Sequence, residues 1–142
     1  MQKLLNPSAY TMQTKGFNKN GVTLRGGQCS CGNIFFPIQE FGCEKCGAYA
    51  TQIQEKSIVT SGQLIASAQV HLHFGGGPKA PFVIGSIKLD EGPIVRALLS
   101  TEKSKLNIGD AMIGELTYVN SNEDGDDIFD LRFKKKDGVN PP

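Results

Sequence analysis

The sequence predicts an all-β protein in which a zinc ribbon leads into a five-stranded barrel of the OB type. Three observations predict it. All four cysteines lie between Cys29 and Cys46, in two pairs, each pair followed at once by a glycine. From Gly62 onward the chain alternates apolar and polar residues with period two, in runs separated by glycine-, proline- and aspartate-rich turns. No stretch carries an apolar repeat of helical period.

The elements follow in order. Residues 1–26 read as an N-terminal arm: Pro7, Gly16, Gly21, Gly26 and the following Gly27 interrupt any regular run. Residues 27–50 form the ribbon. A tetrahedral metal site needs four soft ligands at one point, and two tight turns supply them two at a time. Cys29 and Cys31 make one knuckle, Cys43 and Cys46 the other, with a short hairpin from Ile34 to Phe36 between them. Gly32 and Gly47 permit the sharp reversals, and backbone N–H groups inside such turns favour the thiolate that a metal requires. Two disulfides would need an oxidising compartment. A redox Cys-x-x-Cys would need a βαβ context that is not patterned here. An iron centre on the same four thiolates stays open.

Residues 51–136 read as the barrel. A short strand near Ile53 and a link at Lys56-Ser57 come first. Leu64, Ala66, Ala68, Val70, Leu72 and Phe74 then alternate with Ser67, Gln69, His71 and His73, with Ile65 out of phase, as one long half-buried strand. Phe82 to Leu89 and Ile94 to Leu99 form a hairpin about Asp90-Glu91-Gly92-Pro93. A fourth strand runs from Ala111 to Val119, after a turn at Leu106 to Asp110. The last puts Phe129, Leu131 and Phe133 on one face. A long first strand, a hairpin and two further strands fit the OB barrel, with an SH3-like barrel or an open sandwich as the structural alternative. Ribbon and barrel are each expected to have a core of their own. Residues 137–142 read as a frayed tail.

Composition narrows the function. Lys and Arg total 15 against 14 Asp and Glu, a formal charge of +1, and a divalent ion on four thiolates would lower it by about two. Nucleic-acid binders usually present a net basic face with stacking aromatics, and only 8% of residues are aromatic. An OB-fold binder of single strands is therefore the alternative function, and nucleic acid is not the expected partner. No apolar run reaches a membrane-span length, and the start, Met-Gln-Lys-Leu-Leu-Asn-Pro, is too short and polar for a signal peptide; a cytoplasmic protein is expected.

No complete catalytic constellation is patterned. His71 and His73 share a strand face, which fits an exposed or partner-facing surface better than a metal or acid–base pair. Gly75-Gly76-Gly77-Pro78-Lys79 lacks the phosphate-loop spacing and a following helix, though Lys79 can meet a phosphate as a point charge. Asp90 and Glu91 read as solvated turn residues, and Lys134-Lys135-Lys136 as a solvated basic run.

The motif order resembles a family. A cysteine ribbon with Phe35-Phe36-Pro37, then Gly62 opening a long strand, Pro81 to Gly85, Ile87 to Gly92 and Leu106 to Asp110 is similar to the acyl-CoA-associated OB-fold proteins with a rubredoxin-like zinc ribbon, formerly a domain of unknown function. The likeness runs from about Gly27 to Phe133. The Cys-x-Cys knuckle departs from the commoner Cys-x-x-Cys, and the family's helical arm is shortened. The resemblance implies one zinc ion on Cys29, Cys31, Cys43 and Cys46, and no catalytic residue on this chain. It implies a larger thiolase-like catalytic subunit as partner in a hetero-oligomer, and a CoA thioester as ligand of the complex. Lys79 and Phe82 are the candidate CoA- or partner-side contacts, on a loop that would help enclose the thioester.

Overall fold

The computed structural model describes residues 1–12, 16–39, 41–72 and 79–136. Its strands are β1 (Gln2–Leu4), β2 (Tyr10–Met12), β3 (Val22–Cys29), β4 (Ile34–Phe35), β5 (Ile53–Val59), β6 (Ser61–Val70), β7 (Phe82–Leu89), β8 (Ile94–Leu99), β9 (Ala111–Ser121) and β10 (Asp127–Lys135). Two single 3₁₀ turns, Ala50–Gln52 and Lys103–Lys105, are the helical pieces among the described residues.

The barrel is built from β6 to β10. β6 pairs with β7 and β7 with β8, both antiparallel. β8 meets β10 in parallel, β10 pairs antiparallel with β9, and β9 returns to β6. The sheet thus closes on itself in the order β6-β7-β8-β10-β9, the Greek-key circuit of the OB barrel. Closure turns one face of every strand inward, and Leu64, Ile87, Leu89, Val95, Met112, Leu116 and Phe133 fill it. β1 adds to the outer edge of β10 in parallel.

β6 shows how one residue redirects a strand. Its register with β7 slips between Leu64 and Ala66, so Ile65 is the extra residue of a β-bulge. A one-residue slip exchanges the faces of everything beyond it. Ala66 and Ala68, expected on the buried face, are exposed, and Ser67 turns partly inward. The strand stops at Val70, leaving His71 and Leu72 exposed beyond it. His73 and Phe74 lie outside the described residues.

The second sheet centres on β3. β5 runs antiparallel along one edge from Thr23 to Cys29, while β2 and β4 share the other. Residues 1–26, expected to carry little regular structure, therefore supply β1, β2 and most of β3. β5 continues through Lys56-Ser57 without the expected link. Gly26 and Gly27, taken as interruptions, lie inside β3. A side chain at Gly27 would run into the Phe35 ring across the ladder, and one at Gly26 into Ile58. The glycines are there because the neighbouring side chains occupy their space.

Strand β5 passes into β6 through buried Thr60, where the chain leaves the ribbon sheet for the barrel. The cores do not separate there. Tyr10, Val22, Leu24 and Ile58 of the ribbon sheet join the barrel residues in one apolar cluster, so the expectation of independent cores is corrected. Lys134 and Lys135, expected in a solvated run, belong to β10 and reach Glu115 (3.0 Å) and Asp110 (3.5 Å). Residues 137–142 lie outside the described residues.

Candidate metal centre and adjoining clefts

The two knuckles are built alike. β3 delivers Cys29 at its last residue, and the turn to β4 is closed by the Cys29 N–H on the Asn33 carbonyl (2.9 Å) and the Gly32 N–H on the Cys29 carbonyl (2.8 Å). In the second knuckle the Cys43 N–H bonds the Ala48 carbonyl (2.7 Å) and the Gly47 N–H the Cys43 carbonyl (2.8 Å). Gly32 and Gly47 both take positive φ, 96° and 78°, a conformation that would strain an L side chain. The Ser30 N–H bonds the Gln52 carbonyl (2.9 Å), tying the first knuckle to the entry of β5. The missing residue of Cys-x-Cys thus leaves the knuckle geometry intact.

All four sulfurs lie within 4.8 Å of one another. Cys29 Sγ is 3.4 Å from Cys46 Sγ, and Cys31 Sγ is 3.7 Å from Cys43 Sγ. A disulfide would hold its sulfurs at about 2.05 Å. Four thiolates about 2.3 Å from a central ion stand about 3.8 Å apart, and the observed spacings fit that arrangement. Cys29 and Cys43 are buried while Cys31 and Cys46 face solvent, so the cluster sits at the surface with its back to the sheet.

The local electrostatics fit a cation. Backbone N–H groups of Cys46 and Lys45 point at Cys43 and bring its pKa down to about 6; the Lys45 N–H and the Asn33 amide are 3.4 and 3.6 Å from its sulfur. The Cys31 N–H lowers Cys29 in the same way. Cys46 receives an N–H from Ala48 that favours its thiolate, but Cys29 and Cys31 beside it outweigh this and push it up to about 12. Four adjacent thiols cannot all ionise unaided, and a central cation removes that conflict.

Lys79 and Phe82 come together away from the cysteines. Both line a cleft of about 690 Å³ at one end of the barrel, between the start of β7 and the segment after β8. Sequence reasoning missed two cations there, Lys103 of a 3₁₀ turn and Arg132 of β10, which share the cleft with Ser100 and Thr101. Arg132 alternates with Leu131 and Phe133, which marked it as facing away from the core but not toward Lys79. The glycine run 75–78 lies outside the described residues. Asp90 is an exposed turn residue as expected, and Glu91 stands 3.9 Å from Lys56. Beside the second knuckle, Phe41 and Tyr49 are 96% and 66% exposed, unusual for rings with so much apolar surface.

A closed OB-type barrel bearing a four-cysteine ribbon is the class that fold and site define. No family model and no curated protein matches the sequence. Among solved structures, a chain of the Ltp2–ChsH2(DUF35) aldolase superposes with a TM-score of 0.61, at 18% identity, over 80% of this chain and 84% of that one. At that identity the likeness is one of fold. No helix among the described residues is long and apolar enough to cross a membrane.

Proposed function

We propose that this chain is a non-catalytic zinc-ribbon/OB-fold subunit of a thiolase-type acyl-CoA enzyme complex, working in the cytoplasm beside a larger catalytic subunit. The observation that carries the reading is the shared ribbon-and-barrel fold with a chain from an aldolase whose name includes DUF35, a fold match spanning most of both chains. The motif order from Gly27 to Phe133 supports the same family. Within it we favour the small subunit of 2-benzoylsuccinyl-CoA thiolase, an enzyme of anaerobic toluene breakdown, on size and organisation.

The division of labour follows from chemistry. Thiolytic cleavage needs a nucleophilic cysteine, a base to activate it and donors for the thioester oxyanion. The four cysteines of this chain are all in the ribbon, and the described histidine, His71, is exposed past a strand end. Zinc held by Cys29, Cys31, Cys43 and Cys46 would neutralise the thiolates and tie the knuckles together. The cleft residues Lys79, Lys103 and Arg132 carry charge suited to the phosphates of CoA, and Phe82 offers apolar surface beside them. Closing such a cleft over the thioester would exclude water from the partner's chemistry. Phe41 and Tyr49 are candidate anchors on the partner, since exposed aromatics often dominate the energy of an interface.

Co-expression with a candidate thiolase-like larger subunit, followed by size-exclusion chromatography and elemental analysis, tests this reading. A stable hetero-oligomer with one zinc per copy of this chain is the expected result. Elution of the two chains as separate species at micromolar concentration contradicts it.

A further inference from the structure

The barrel is unevenly closed. β8 and β10 share one paired position, Leu99 with Phe133, followed by the Ser100 N–H on the Phe133 carbonyl at 2.9 Å. From Val95 to Leu98, the edge of β8 that faces β10 has no ladder among the described residues, while the opposite edge is fully paired to β7. A cleft of about 680 Å³ opens at this seam, roofed by the ribbon sheet. Arg25 helps hold the roof in place: its N–H bonds the Ala9 carbonyl at 2.7 Å, and its carbonyl accepts the Ile38 N–H at 3.2 Å.

The lining is mostly apolar, with half-buried Phe36 and Leu98, buried Leu24 behind them and a few charged groups. Most of those groups are occupied. Tyr10 donates its hydroxyl to Asp130 at 2.7 Å and accepts the Asn6 N–H at 3.2 Å. Asp130 also faces Arg132, 3.7 Å away. Arg25 forks onto Glu55 through two bonds of 3.0 and 3.1 Å. Arg96 is different. It is exposed on the outward face of β8, at the rim of this cleft, where it also borders a shallow hollow over Ala68, Ile84 and Ser86, and it has no hydrogen bond or ion pair among the described residues. The cleft therefore offers an apolar body, unpaired backbone at its edge and one uncompensated cation. The volume lies within the usual range for small-molecule sites.

We propose that this seam is a binding site for a small organic acid with an apolar body, an aliphatic or aryl carboxylate, whose head group is taken by Arg96. The apolar portion lies against Leu24, Phe36 and Leu98, where burial supplies the affinity. The carboxylate meets the guanidinium in a charge-assisted bond, which supplies the selectivity. Asp130 does not repel it, because Tyr10 and Arg132 already engage that carboxylate. Ala9 and Ile38 of the roof line the same cleft, which leaves less of the β8 edge open to an extended peptide. The site is distinct from the Lys79 cleft and does not depend on the thiolase reading.

The test uses the full zinc-loaded chain with 8-anilino-1-naphthalenesulfonate as fluorescent probe, competed by decanoate and by decan-1-ol, with amide NMR to locate the site. Saturable probe binding is expected, with decanoate displacing it at least about tenfold more effectively than the alcohol, the ratio a charged hydrogen bond produces. Amide shifts should centre on Val95 to Leu98 and on Asp130 to Leu131. Arg96→Gln, a change at an exposed position, should erase the preference for the acid while leaving alcohol binding as it was. Ala97→Phe should block both ligands. Equal affinity for acid and alcohol, shifts centred on the Lys79 cleft, or an unchanged preference in Arg96→Gln would each overturn the proposal. So would shifts at the seam that come only with a protein partner and never with the acid.

Discussion

Cys43 is the residue on which the ribbon most depends. It is buried, receives the N–H groups of Lys45 and Cys46, and lies beside the Asn33 amide. Cys43→Ala removes one of four ligands and the focus of those donors, and a structural zinc site supplies much of the folding energy of a small ribbon. Elemental analysis of this variant should show zinc falling from one per chain to a small residue; a full complement of metal would contradict the site. A second residue-scale prediction concerns Asp126. The Lys3 ammonium, 2.9 Å away, holds its carboxyl below the usual range. A depressed carboxylate stabilises above its unfolded pKa, about 3.9, and the benefit is lost as pH falls through the lower folded value. Amide protection of Gln2 to Leu4 should therefore drop below about pH 4, modestly because the pair is partly solvated, and Asp126→Asn should show the reduced protection at neutral pH. Unchanged protection in that variant would remove Asp126 from the account. At this scale the sequence was legible where chemistry is local: two cysteine pairs with trailing glycines, and Ile65 out of phase at the bulge. It was silent on Arg96, Lys103 and Arg132, whose roles depend on which neighbours the fold brings near.

At the scale of elements, legibility followed contact distance along the chain. The hairpin of β7 and β8 was readable to its end residues, because its pairing is local and its turn has its own chemistry in Gly92, at φ 121°. β9 and β10 were readable from alternation. β3 was not, since Arg25-Gly26-Gly27-Gln28 breaks the apolar period and its long partner β5 lies some thirty residues on. The reason for those glycines is visible only across the ladder. Gly27→Val should clash with the Phe35 ring and cost about 1–3 kcal/mol, as overpacking generally does. Pairing it with Phe35→Ala should recover part of the loss. A single variant as stable as the parent in urea denaturation would show that the Phe35 ring does not fix this register.

Across the whole molecule, the shared core decides what the ribbon does. Val22, Leu24 and Ile58 pack with the barrel, so the knuckles sit on a sheet anchored in the main core rather than on a separate bead. A metal on the four cysteines would stiffen a projection that carries the exposed Phe41 and Tyr49 outward. The parallel closure of β8 on β10 could not be read from alternation, which reports faces and not neighbours; the OB order rested on strand count and sequence alone. On the proposed division of labour, this chain contributes binding while the chemistry sits on a larger subunit. The most direct measurement is thioester cleavage by that subunit alone, by this chain alone and by the two together, with CoA as acceptor. No turnover is expected from this chain, little from the subunit alone and full activity from the pair, with Lys79→Ala weakening the apparent affinity for CoA. Turnover by this chain alone, or full activity of the larger subunit without it, would contradict the account.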